Sequence, residues 1–127
     1  MKPKGQHTGV IESFGYAFEG IAETFRQGRN IKIQTVVAVI AVVLGFAFQI
    51  SSIEWIVMVL CIGLVLSGEV INTSFENVVD LACPEWHPKA KAAKDMAAGG
   101  VLVAAAMSLI IGLIIFVPKV LGALGWM

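Results

Sequence analysis

The stretch Gly68-Glu69-Val70-Ile71-Asn72-Thr73-Ser74-Phe75-Glu76-Asn77-Val78-Val79-Asp80 decides the fold. Glu69, Asn72, Glu76 and Asp80 fall at offsets of zero, three, seven and eleven, and helical periodicity stacks such positions on one face. The residues just before the stretch, Trp55 to Ser67, are almost wholly apolar. A helix that starts in membrane-compatible sequence therefore continues into carboxylates, which at that depth are costly unless they face a bundle interior or an aqueous cavity. At a rise of about 1.5 Å per residue, Glu69 and Glu76 lie about 10 Å apart along the axis, too far to share one proton. They can instead divide labour. Glu69, nearer the membrane, suits a general base, a role that partial desolvation favours. Glu76, further out, suits a divalent cation such as magnesium, which commonly takes one or two carboxylates plus phosphate oxygens. Asn72 sits between them as an orienting amide. A polar contact between helices is the plainer alternative for the same stripe.

Working outward, a first apolar segment runs from about 33 to 50 and the acidic segment from about 55 to 81. Only Ser51-Ser52-Ile53-Glu54 separates them, room for a tight helical hairpin, and the Trp55 ring suits an interface. Beyond the stripe, Pro84 and Pro88 break the loop, and Lys89, Lys91, Lys94 and Asp95 lead into a third apolar helix over about 96–117, which Pro118 is expected to end. Upstream, Val10, Phe14, Ala17, Phe18, Ile21, Ala22 and Phe25 recur at three- and four-residue steps with Glu12, Glu19, Glu23 and Arg26 between them. That pattern predicts an amphipathic helix over about 8–27, lying in the membrane interface or packed on the bundle, with Gly28 as its stop. The expected architecture is an all-α membrane protein, one domain over residues 1–127: an interfacial helix plus three transmembrane helices.

Composition agrees. Of the 127 residues 57% are hydrophobic, more than an ordinary soluble domain carries. The formal net charge is zero and the basic residues sit at turns and segment ends, which argues against a nucleic-acid surface. Cys61 and Cys83 have neither disulfide-framework nor metal-site spacing. No signal peptide is expected, because polar sequence follows Lys2 and Lys4. Lys2, Lys4, Arg26, Arg29 and Lys32 flank the first span, Lys89, Lys91 and Lys94 lie between the second and third, and only Lys119 lies opposite. The positive-inside rule then puts the N-terminus and the acidic end of the second span in the cytoplasm, where nucleotides are found.

On the third helix Gly100, Ala104, Ser108 and Gly112 repeat every four residues, a stripe that lets another helix approach, in this chain or a neighbouring copy. Lys94 can return to the acidic end and neutralise phosphate charge. His87 alone, without Cys or His partners, reads as a solvated loop histidine. Gly15 and Gly20 have Walker spacing, but Ile21 stands where the lysine belongs. Any kinase here is of another type.

On these residues the chain resembles the small prokaryotic diacylglycerol kinase family, which includes the undecaprenol kinases of Gram-positive bacteria. The likeness is carried by Glu69-Val70-Ile71-Asn72-Thr73-Ser74-Phe75-Glu76-Asn77-Val78-Val79-Asp80 and by His87-Pro88-Lys89-Ala90-Lys91-Ala92-Ala93-Lys94-Asp95-Met96-Ala97-Ala98-Gly99-Gly100-Val101-Leu102, with a weaker echo in Ser13-Phe14-Gly15-Tyr16-Ala17-Phe18-Glu19-Gly20-Ile21. The resemblance implies a bacterial plasma-membrane homotrimer surrounded by membrane lipids, with shared sites at the cytoplasmic surface. It implies transfer of phosphate from ATP, with magnesium, to a lipid alcohol. Residue by residue, it makes Glu69 the catalytic base and a contact of the substrate, Asn72 part of the same motif and Glu76 a metal ligand that also meets ATP. Tyr16, Glu85, Trp86, His87, Lys94 and Asp95 take the nucleotide-contact positions. The patterns around His87-Pro88 and Phe116-Val117-Pro118-Lys119 favour undecaprenol over diacylglycerol. The family usually carries a metal-binding glutamate just before the first span, in a pattern like Glu-Arg-Asn, where this chain has Gly28-Arg29-Asn30; Glu19 or Glu23 is the expected substitute. A basic residue that some members place before the first helix is Gly9 here. A catalytically impaired or non-enzymatic membrane scaffold of the same fold is the alternative reading.

Overall fold

The computed structural model describes residues 1–126, and the regular elements among them are four helices: α1 (Val10–Gln27), α2 (Arg29–Ala47), α3 (Ser52–Ala82) and α4 (Pro88–Ala123). The last three are long and apolar enough to cross a membrane. α3 packs along α4, and α2 and α1 lie against α3.

Helix ends differ from the sequence expectation where local hydrogen bonding decides them. α1 starts at Val10 rather than near residue 8, with the Glu12 carboxylate accepting from the Gly9 N–H at 3.2 Å and from Lys2 Nζ at 2.9 Å. These two donors hold the Glu12 carboxyl below the usual carboxylate range. Gly28 does stop the helix: it is extended, at φ −98° and ψ 128°, and α2 begins at the next residue. The first span therefore begins at Arg29, four residues before the expected Ile33, and ends at Ala47 instead of Ile50. Its exit is a left-handed turn: Gln49 has φ 50°, and the Ile50 N–H reaches back to the Gly45 carbonyl at 3.1 Å, the bonding of a Schellman cap.

α3 begins at Ser52, not at Trp55, because Ser51 and Glu54 form a capping box: the Glu54 N–H donates to Ser51 Oγ at 3.2 Å and the Ser51 N–H to Glu54 Oε2 at 2.9 Å. Trp55 is not simply an interfacial anchor. It is half-buried against Gly45, with its ring 4.7 Å from that of Phe46.

Pro118 does not end the last helix, which runs from Pro88 to Ala123. Proline removes one backbone donor, but neighbouring helices and side chains compensate such a loss in a membrane bundle. Here Lys119 ties the segment to the start of α3, with Nζ donating to Glu54 Oε1 at 2.8 Å. At the other end Pro88 occupies the first turn, where it costs no hydrogen bond, and His87 Nδ1 accepts from the Lys89 N–H at 3.1 Å.

The buried core is small. Ile50, Met58 and Ile115 form one cluster, with Phe48, Trp55 and Phe116 around them, at the end of the bundle remote from the acidic stripe, and Ile31, Val65, Val101 and Ala104 are buried outside it. Val36, Val39, Ile40 and Val43 of α2 and Leu109, Ile110, Leu113 and Ile114 of α4 are each more than half exposed. Such apolar surface suits lipid or further protein rather than water. On α1, Val10, Phe14 and Phe18 are likewise uncovered, and only Thr24 is buried. With 31 and 36 residues, α3 and α4 measure about 46 and 54 Å at 1.5 Å per residue, well beyond a hydrocarbon core of about 30 Å.

Candidate active site at the acidic end of α3

The stripe on α3 grades from buried to exposed. Glu69 is 4% exposed and Asn72 8%, Glu76 is half-buried and Asp80 lies open. The single unbroken helix sets this order, because successive members of one face climb the axis away from the core. Gln34 of α2 donates from Nε2 to Glu69 Oε1 at 2.8 Å. Asn72 Nδ2 donates to Glu76 Oε1 at 3.3 Å, and among the described residues Asn72 Oδ1 is buried without a hydrogen-bond partner.

Lys94 does return from α4 to the stripe, where its Nζ donates to Asp80 Oδ1 at 2.6 Å. The first turns of α4 thus place a cation on the outermost acid of the stripe. Asp95 turns instead to Lys91 on its own helix. Glu85, Trp86 and His87 occupy the exposed loop before α4, with Trp86 77% exposed; the ring of His87 caps that helix and is not merely solvated. Tyr16 is half-buried on α1. No hydrogen bond among the described residues joins Tyr16, Glu85, Trp86 or Asp95 to the stripe. Glu23 is engaged on its own helix, accepting from Gln27 Nε2 at 2.9 Å and Arg26 Nη1 at 3.2 Å, donors that hold its carboxyl below the usual range. Among the described residues no three His, Cys, Asp or Glu side chains converge as a metal cage.

Two grooves adjoin the stripe. One of about 550 Å³ runs between α2, α3 and α4, with Asn30 and Gln34 among its few polar residues and Met58, Ile62, Ile111 and Ile115 among its apolar ones. The other, about 420 Å³, lies between α3 and α4 and is lined by Gly68, Asn72, Phe75, Met96, Gly100 and Val101.

Gln34 is the residue that sequence reading missed. Its signal was present: a carboxamide inside an otherwise apolar span, where an idle polar group is unfavourable. The opposing arrangement of carboxylate, amide and ammonium can take a proton from a hydroxyl, hold a cation and offset phosphate charge.

Comparison with known proteins covers most of the chain. The family described as prokaryotic diacylglycerol kinase matches residues 15–116. An undecaprenol kinase of Bacillus subtilis is 47% identical over 109 residues, 86% of this chain and 89% of its own length. A diacylglycerol kinase of Synechocystis is 36% identical over 113 residues, 88% of this chain and 65% of that protein. A diacylglycerol kinase of Escherichia coli is 27% identical over 103 residues, 81% of this chain and 84% of that protein.

Proposed function

The chain belongs to the prokaryotic diacylglycerol kinase family, and from that premise we propose that it transfers the γ-phosphate of ATP to a membrane lipid alcohol, undecaprenol ahead of diacylglycerol. It is a lipid kinase with three candidate membrane spans. The observation that carries the mechanism is Glu69, a carboxylate buried to 4% exposure in a membrane helix yet, among the described residues, hydrogen-bonded on one oxygen only. Glu69 takes the proton of the lipid hydroxyl as that oxygen attacks the γ-phosphorus. The bond to the β-phosphate oxygen breaks, and ADP leaves with the electron pair. Lys94, at the open end of the stripe, offsets charge on the nucleotide.

The oxygens of Glu76 and the orphaned Asn72 Oδ1 are hard donors of the kind magnesium takes, and one protein carboxylate is enough when phosphate and water complete the set. Bound there, magnesium would neutralise phosphate charge. Glu85, Trp86 and His87 on the exposed loop, Asp95 at the start of α4 and Tyr16 on α1 form the nucleotide's surroundings in this reading. The uncovered aromatic side chains of α1 support a seat in the membrane interface. The exposed apolar faces of α2 and α4 support a homotrimer, and the basic residues at the acidic end support a cytoplasmic site in a bacterial plasma membrane. The whole chain, 1–127, acts as one kinase domain.

The 47% identity to an undecaprenol kinase favours undecaprenol. Radiolabelled ATP with either lipid in micelles tests the proposal. Label is expected in undecaprenyl phosphate, reduced about 100-fold or more by Glu69→Gln. Transfer to diacylglycerol alone would make diacylglycerol the substrate, and folded protein that labels neither lipid would overturn the reading.

A further inference from the structure

Gln34 lies in α2, and its side chain makes the hydrogen bond that joins α2 to the acidic stripe on α3. The donor is Nε2 and the acceptor is Glu69 Oε1, at 2.8 Å, with the two residues 35 positions apart in sequence. Glu69 itself has no other hydrogen bond among the described residues, so its Oε2 is left unengaged. A glutamate has three side-chain torsions, and a single well-placed donor on one oxygen selects among their staggered wells. Gln34 also lines the groove between α2, α3 and α4, beside Asn30 and at the opposite end from Ile115 and Phe116.

From this geometry we infer that Gln34 is a positioning residue: it fixes the Glu69 carboxylate so that Oε2, and not Oε1, takes the proton from the lipid hydroxyl. The inference rests on the reading of Glu69 as the base. The groove that Gln34 lines brings an apolar chain alongside, so the hydroxyl at the head of that chain meets a carboxylate already held in one orientation. Without the donor the carboxylate is held by packing alone, and neither oxygen is singled out. The reacting atoms are then misaligned while the nucleotide end of the stripe, at Glu76, Asp80 and Lys94, is unchanged.

The effect therefore falls on kcat and not on the KM for ATP. Gln34→Met keeps the length of the side chain and removes the N–H; Gln34→His returns an N–H at similar reach. With the full chain in lipid micelles, Gln34→Met is expected to lower kcat about 10- to 100-fold, to leave the KM for ATP within about twofold, and to be largely rescued in Gln34→His. Equal activity in Gln34→Met and the unaltered chain, equal loss in both variants, or a loss confined to KM would each overturn the inference. Gln34→Ala is a second donor-free variant; if neither donor-free form folds, Gln34 is a structural tie and the inference falls. Glu69→Gln, assayed alongside, separates the two readings. An inactive Glu69→Gln with an intact Gln34→Met removes the positioning role alone, whereas a fully active Glu69→Gln removes the base and the positioning role with it.

Discussion

Asn72 shows how one side chain can belong to two environments. Its amide nitrogen faces Glu76, while its carbonyl oxygen is buried with no partner among the described residues. An unsatisfied buried acceptor costs about 1–3 kcal/mol, which a cation bound there in the proposed reaction would offset. Gly28 is the opposite case, a position without any side chain where the family's usual pattern has a ligand. Its backbone, at φ −98° and ψ 128°, admits any residue, but an added Cβ would lie 3.0 Å from the Thr24 carbonyl oxygen and 3.4 Å from Ile31 Cγ2. Gly28→Glu is therefore expected to lower stability by about 1 kcal/mol while reducing the magnesium concentration needed for half-maximal transfer several-fold. Titrating magnesium against both forms checks this: an unchanged requirement shows that position 28 does not face the cation.

Among the elements, the hairpin between α2 and α3 depends on close approach. A Cβ at Gly45 would come within 2.9 Å of Trp55 Cη2 and 3.0 Å of Cζ2, ring carbons that cannot move aside without disturbing the pair with Phe46. Gly45→Ala should cost about 1–3 kcal/mol of stability, seen as a lower unfolding temperature in micelles. Trp55→Phe in the same chain should recover part of it, because the smaller ring lacks those two carbons. Specific activity of the folded fraction should be little changed, since the hairpin is remote from the stripe. The same hairpin shows what sequence could and could not convey. Three apolar runs and an acidic face were legible because hydropathy and helical period act on every residue of an element. The true start of α3 is also legible in principle, through Ser51 and Glu54, but the same polar residues serve equally as a hairpin linker. Continuation through Pro118 was not legible, because a proline this near a helix end reads as a stop and the tie from Lys119 to Glu54, 65 residues away, is a tertiary contact. Gln34 was hidden for a related reason: a single amide acquires meaning only when another helix brings it a carboxylate.

At the scale of the molecule, a small core and wide apolar flanks suit a chain completed by lipid and by its own copies. The small-residue stripe on α4 divides in this respect. Ala104 is buried within the chain, whereas Gly100 is exposed and a Cβ there would meet nothing within 4 Å. Gly100→Leu should therefore leave the single chain folded and weaken the proposed trimer, which light scattering in micelles would report as a lower mass. An unchanged mass would place the contact between copies elsewhere. The lengths of α3 and α4 have one more consequence. Asp80 stands about 16 Å further along the axis than Glu69, at 1.5 Å per residue, so one rigid rod reaches from an oily phase into an aqueous one. In the proposed reaction a water-soluble donor and a water-insoluble acceptor can each keep most of their length in their own solvent, and only the reacting ends, the γ-phosphate and the hydroxyl, need to meet at Glu69. Neither reactant has to cross the boundary; the phosphoryl group passes directly from one to the other where the two solvents adjoin.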